Sequence, residues 1–229
     1  MFYTENKKER FERIGAEANT MNAYDFDGTI YPGDCSIGFA FWCMNRHPKL
    51  WFTYFPRAIK AFVQYKRGKI PNYQLQCTVF SYLTQVDDFE VQIERFWDRN
   101  EGKISAWYLA QKRPDDLIIS ASPLCIIERI AGRLGVNCVA TEYDREYGAL
   151  TNNLMYATEK SMYMIDRDMP QIDNFYSDSL ADTPLALLAD KAHLVTNNAT
   201  TVTDWPKLDD LTAEKVKKKI DTGWSIHLD

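Results

Sequence analysis

The chain has 229 residues, of which 45% are hydrophobic and 26% charged, with a net charge of −5 and a pI near 5.3. That length can bury one α/β core plus a small second module, and the acidic balance argues against a general nucleic-acid binder, which needs a basic surface to release counterions. Five cysteines (Cys35, Cys43, Cys77, Cys125 and Cys138), an odd number with no C-x-x-C pair, point to neither a disulfide framework nor a zinc site. Residues 1–20 are charged and mixed, and no run of about eighteen apolar residues occurs anywhere, so neither a signal peptide nor a spanning helix is expected and the expected compartment is the cytoplasm.

Strands are predicted at 22–26, 116–120, 137–141, 172–177 and 192–196, with helices at 123–134, 158–168 and 183–190 between them. Such alternation predicts an α/β fold, a Rossmann-like, mostly parallel sheet with helices on both faces. The first strand ends in Asp25-Phe26-Asp27-Gly28-Thr29. Alternate side chains of an extended segment share a face, so Asp25 and Asp27 start out together and Gly28 then allows a sharp turn. Two like charges stay close only if a cation sits between them or one keeps a proton. D-x-D-G also occurs in solvated turns and calcium loops, so the motif alone leaves both readings open.

Residues 34–112 interrupt the alternation and read as helical, with Asp87 or Asp88 as N-cap of the segment holding Phe89, Ile93, Phe96 and Trp97. The next strand, Leu117 to Ser120, runs into Ala121-Ser122-Pro123, where a helix start offers free N–H groups to a phosphate oxygen. Ser122 is expected as the N-cap and Pro123 as the first helical residue. Lys160 falls in the first turn of an amphipathic segment, against the helix dipole; a facing anion would explain that place, although a solvated surface lysine is the default for a lone lysine. Asp178 and Asp182 follow another strand. Residues 209–221, with four lysines, read as a solvated surface helix.

In this order the four segments resemble the haloacid dehalogenase (HAD) superfamily of aspartate-nucleophile phosphotransferases: D-x-D-x-T at Asp25 to Thr29, a strand-terminal Ser120, Lys160, and the D-x-x-x-D pair Asp178 and Asp182. The long insertion, Thr158-Glu159-Lys160 and Ser177-Asp178-Ser179 are similar to the branch of phosphoserine phosphatases and phosphatidylglycerophosphatase C. Arg46-His47-Pro48 and Asn152-Asn153 bring it closer to the latter. Ala157 stands where that family usually has glycine, and Asn22, Asp173 and Asn174 put polar groups into strands that are normally apolar.

The resemblance implies a core of residues 1–33 and 113–229 and a helical cap of residues 34–112. It implies a Mg²⁺-dependent phosphatase acting on a phosphate monoester through an aspartyl-phosphate on Asp25. Asp27 would be general acid and base, and its backbone carbonyl would join Asp25 and Asp178 in holding Mg²⁺. Lys160, Ser120, the N–H groups near Ala121, and Thr29 would bind the phosphoryl oxygens, with Asp182 behind them orienting Lys160 or a metal-bound water. Asp34 would meet a substrate ammonium, or cap a helix. An acid at Asp27 favours ester chemistry over carbon–halogen cleavage, which leaves no alcohol to protonate; a phosphotransferase or phosphomutase, or a non-catalytic phosphate binder, is the alternative.

The expected substrate is a small phosphorylated metabolite or a lipid phosphate. Aromatic residues from Phe39 to Tyr65 interleave with cations from Arg46 to Lys69. Such a mixture suits peripheral contact with an anionic membrane. The plainer reading, favoured on base rates, is a small helical module that buries its rings and solvates its charges. His47 reads as a turn residue and His193 as part of a strand. The sequence does not speak to oligomeric state.

Overall fold

The computed structural model describes residues 20–207. Six strands form one sheet in the order β3-β2-β1-β6-β7-β8: β1 (Thr20–Tyr24), β2 (Leu117–Pro123), β3 (Asn137–Thr141), β6 (Gln171–Ser177), β7 (Ala189–Thr196) and β8 (Thr201–Asp204). All neighbours are parallel except β8, which pairs antiparallel with β7. A small hairpin, β4 (Tyr143–Asp144) with β5 (Ala149–Leu150), stands apart. The expected mostly parallel α/β sheet is therefore found, with β1 at its centre.

Period-two alternation divides the core. Met21, Ala23, Leu117 and Ile119 pack on one face with Met164 of α8 (Thr158–Asp166) and with Leu185 and Ala186 of α9 (Thr183–Ala186). Tyr24, Ile118 and Tyr176 face the other side, toward α7 (Leu124–Leu134). Between β1 and β2 the chain is helical: α1 (Cys35–Arg46), α2 (Leu50–Thr53), α3 (Phe55–Lys66), α4 (Asn72–Phe80), α5 (Phe89–Asn100) and α6 (Ala106–Gln111). Phe39, Tyr82, Phe89, Phe96 and Trp97 of this insertion join the same apolar cluster as Ile118 and Ile126. Trp97 Nε1 donates to the Ile126 carbonyl at 3.0 Å, so the insertion is fastened to the sheet side.

Several expectations change. The predicted helix 183–190 is only one turn long, because strand β7 begins at Ala189. The hairpin and β8 lack the length or apolar alternation that marks a strand in sequence. Pro123 ends β2 and occupies the N-cap of α7 instead of its first turn. Asp88 does stand at the N-cap of α5, but its carboxylate accepts from Gln92 Nε2 at 2.7 Å and meets His47 Nε2 at 2.9 Å instead of capping backbone. His47 itself is the C-cap of α1, and His193 lies within β7. The polar strand positions form a ladder: Asn174 donates to Asn22 Oδ1 at 3.0 Å and its own Oδ1 lies 3.2 Å from His193 Nε2. Asp173 lies 3.8 Å from Arg113. Of the five cysteines, all free, Cys35 and Cys43 are buried and the others half-buried. The reading of 209–221 falls outside the described residues.

Candidate active site

The carboxyl ends of β1, β2 and β6 open into a cavity of about 260 Å³. Asp25, Asp27, Ser120, Ala121, Ser122, Lys160, Asp178 and Asp182 line its floor, while Asp34, Ile37, Gln76, Val79 and Phe80 of the insertion, with Leu154 and Tyr156, line the rest. Four separated stretches of sequence thus meet at one sheet edge, the place where chain reversal in such folds leaves room for a ligand.

Asp25 follows β1 directly, its N–H bonded to the Tyr176 carbonyl at 2.8 Å. Its Oδ1 lies 2.6 Å from Lys160 Nζ, and its Oδ2 accepts from Thr29 Oγ1 at 3.2 Å. Lys160 occupies the first turn of α8 with its side chain buried, and its ammonium also reaches Asp182 Oδ2 at 2.8 Å. Ser177 Oγ donates to that same Asp182 oxygen at 2.8 Å. Burial works against the Lys160 charge, but Asp182 and Asp25 outweigh it and hold the ammonium well above its ordinary range. For Asp25, burial is the largest influence and pushes its pKa up to about 8; Lys160 pulls it down, and the nearby Asp182 and Asp178 charges push it up again.

Asp27 has a different shell. Oδ1 accepts from the Cys35 N–H at 2.6 Å, at the first residue of α1, and Oδ2 accepts from Ser122 Oγ at 2.5 Å. Burial, then the charge of Asp34, pushes Asp27 up to about 7 against these hydrogen bonds. Gly28 makes the turn possible: its φ is +77°, and a Cβ there would lie 2.3 Å from Asp178 Oδ2.

Asp25, Asp27, Ser120, Ala121, Lys160, Asp178 and Asp182 are therefore brought together. Thr29 is not among the cavity residues: it is fully buried, donating to Asp25 and accepting the Asp178 N–H at 2.9 Å, so it braces two acids instead of facing a phosphate. Asp34 lines the cavity and also caps α1, accepting from Ile37 N at 2.9 Å. Ser122 is not an N-cap; its hydroxyl belongs to Asp27 and its N–H donates to Ser120 Oγ at 3.1 Å. Sequence reasoning missed Ser122, Cys35 and Ser177 as partners of the acids. For Ser122 a signal existed, since residues 120 and 122 of an extended strand share a face.

The acids also bear on a divalent cation. Among the described residues no three His, Cys, Asp or Glu side chains converge on one metal position. The donor set that the resemblance implies is two carboxylates, Asp25 and Asp178, which both line the cavity, and the Asp27 main-chain carbonyl. Hard oxygens of this kind with room for waters fit Mg²⁺. Burial is the main force holding Asp25 up, with the Asp182 and Asp178 charges adding to it against the pull of Lys160, and a cation beside Asp25 and Asp178 would favour the ionised carboxylate.

A family model of haloacid dehalogenase-like hydrolases matches residues 23–187, a span that contains every one of these groups. The chain belongs to that family. No curated protein matches the sequence. Among solved structures, a protein of unknown function from Bordetella pertussis Tohama I superposes with a TM-score of 0.66 at 17% identity, covering 84% of this chain and 93% of its own. The HAD family hydrolase t0658 from Salmonella enterica serovar Typhi gives 0.50 at 16% identity, covering 75% of this chain and 60% of its own. A phosphoserine phosphohydrolase-like protein from Francisella tularensis gives 0.49 at 12% identity, covering 77% and 87%. At these identities the first two likenesses establish the shared fold, and the HAD-like α/β architecture expected from the four motifs is met.

Proposed function

We propose that this HAD-family hydrolase is a Mg²⁺-dependent phosphatase that cleaves a small phosphate monoester, a phosphorylated metabolite or a lipid-phosphate headgroup, through an aspartyl-phosphate on Asp25. The observation that carries this reading is Asp27: a second carboxylate two residues after Asp25, in the same cavity and held by two donors, with burial and the Asp34 charge pushing its pKa up to about 7. A carbon–halogen substrate would give such an acid nothing to do.

Asp25 attacks the phosphorus in line while Asp27, protonated, gives its proton to the departing alcohol oxygen. The product alcohol leaves and Asp25 carries the phosphoryl group. Asp27, now a carboxylate, takes a proton from water as the water oxygen attacks phosphorus and frees Asp25 and phosphate. Lys160, the Ser120 hydroxyl and the N–H groups around Ala121 stabilise the equatorial oxygens, where charge is greatest in the transition state. Asp182 keeps the ammonium aimed at the site through its 2.8 Å contact. When bound at Asp25, Asp178 and the Asp27 carbonyl, Mg²⁺ supplies charge neutralisation for the nucleophile and the phosphate. The helical insertion, through Asp34, Ile37, Val79 and Phe80, acts as a cap that selects what lies beyond the phosphate.

The test is phosphate release from an aryl phosphate with Mg²⁺, expected to vanish with EDTA and with Asp25→Asn. A panel of phosphoserine, lysophospholipid phosphates and phosphatidylglycerophosphate then ranks substrates. Absence of turnover across that panel would overturn the phosphatase reading in favour of a non-catalytic phosphate binder.

A further inference from the structure

Residues 35–86 contain seven lysines and arginines and no aspartate or glutamate, in a chain whose net charge is −5. That segment includes a stripe of apolar side chains turned to solvent. Phe52, Ile59 and Phe62, with the half-buried Phe55 that also packs against the core, recur every three or four positions, which places them on one side of the α2–α3 helical run. Phe52 is 82% exposed, Ile59 51% and Phe62 47%, and α3 buries only Ala61. Trp51 extends the stripe, its ring centroid 5.2 Å from Phe55 and 6.4 Å from Phe41, which is itself exposed. Around the stripe, Arg57, Lys60, Lys66 and Arg67 have no carboxylate within 4 Å among the described residues, whereas Lys49 sits 3.8 Å from Asp87. Lys66 lies 5.5 Å from the Phe62 ring centroid, so cation and aromatic ring share one patch.

Contiguous exposed apolar surface of this kind marks an interaction site. We propose that α2 and α3 dock on an anionic lipid membrane, with Phe52, Ile59 and Phe62 entering the headgroup boundary and the flanking cations meeting lipid phosphates. Charge complementarity selects this occupant. A second copy of the chain meeting the same patch by two-fold symmetry would bring one set of cations against an identical set. A polar polyanion would pair with the cations and leave the rings wet. No helix among the described residues is long and apolar enough to cross a membrane, so the helices would lie on it. The surface does not depend on the phosphatase reading.

The experiment is cosedimentation of the full chain with vesicles of phosphatidylcholine alone and with an equal part of phosphatidylglycerol, in low and high salt. Binding is expected only to the anionic vesicles and to weaken with salt. The exposed triple variant Arg57→Gln/Lys60→Gln/Lys66→Gln should lower the partition coefficient on the order of 100-fold, since each cation near an anionic surface contributes about a fivefold factor. Phe52→Ser/Phe62→Ser should abolish binding with unchanged melting temperature, and Asp25→Asn should bind like the parent, separating docking from catalysis. Equal binding by the parent and both surface variants, no binding to either vesicle, or a dimer in sedimentation velocity that Phe52→Ser dissolves, would overturn the proposal.

Discussion

Ser122→Ala is the most discriminating change, because it alters the acid without touching it. Ser122 Oγ donates to Asp27 Oδ2 at 2.5 Å and so favours the carboxylate over the acid. A hydrogen bond to a charged group is worth about 1.5–3 kcal/mol, which at 1.36 kcal/mol per pH unit is about 1–2 units in pKa. The limit on kcat/KM, which reports the free enzyme through the first irreversible step, is set by protonated Asp27. In the parent it falls as pH rises through about 7. With alanine, burial and the Asp34 charge still push upward and the Cys35 N–H still pulls down, so loss of the Ser122 bond alone should move the limb to about 8–9. The assay is kcat/KM against pH with an alkyl phosphate, whose poor leaving group needs the proton; an aryl phosphate with an acidic phenol should show a weaker limb. A limb that stays near pH 7, or moves down, would refute Asp27 as the acid. A thermal melt of the variant separates this from misfolding.

Lys160→Met strips the ammonium from two carboxylates in a buried site; breaking a buried ion pair in this way costs about 3–5 kcal/mol, read by denaturant unfolding, and adding Asp182→Asn should recover part of it. Ala157 has a φ of +52° immediately before α8, a backbone region that strains an L side chain by about 1–3 kcal/mol; Ala157→Gly should raise stability by about 1 kcal/mol after the entropy of glycine is subtracted, visible as a rise of about 2–4 °C in Tm. Asp116 is buried at the start of β2, and burial pushes its pKa up to about 6. A folded pKa raised above its unfolded value gives stability that is present below about pH 4 and lost as pH rises through about 6, so melting curves of Asp116→Asn should be flatter than the parent's across that window.

What the sequence disclosed, and what it hid, follows from the range of each interaction. Asp25, Asp27 and Gly28 lie within four residues, so their shared face and turn are local properties that spacing encodes. Lys160 was legible for a second local reason, its unfavourable place in a first helical turn, and its burial against Asp25 and Asp182 supplies the anions that the anomaly demanded. Thr29 misled because a hydroxyl beside an acidic motif can face a ligand or brace the motif. Only the approach of β6, which brings the Asp178 N–H to its oxygen, decides between them. Cys35 and Ser122 hold Asp27 from eight and 95 residues away; the shared face of residues 120 and 122 could direct Ser122 toward the site, but no local pattern names Asp27 as its partner. The same limit hid the Asn22–Asn174–His193 ladder, whose members look like isolated polar intrusions until the pairing of β1, β6 and β7 brings their side chains within hydrogen-bond reach.

The contrast between Asp25 and Asp27 leads to a prediction about metal binding. Both carboxyls are raised, but Asp25 is raised by burial and by the acids around it, Asp182 and Asp178. A coordinating carboxylate must be ionised, so an Asp25 near 8 has to give up a proton before Mg²⁺ can bind. Below that value the apparent affinity should therefore fall as pH drops, approaching tenfold per unit, and level off above it. Titration calorimetry at pH 7 in buffers of different ionisation enthalpy measures the proton directly, and release of close to one proton per Mg²⁺ is expected. Asp25→Asn should remove both the proton release and the pH dependence while leaving any weak binding by Asp178. Affinity that is flat between about pH 6 and 8 with no proton released would show that Lys160 already keeps Asp25 fully ionised and would refute proton-coupled metal binding.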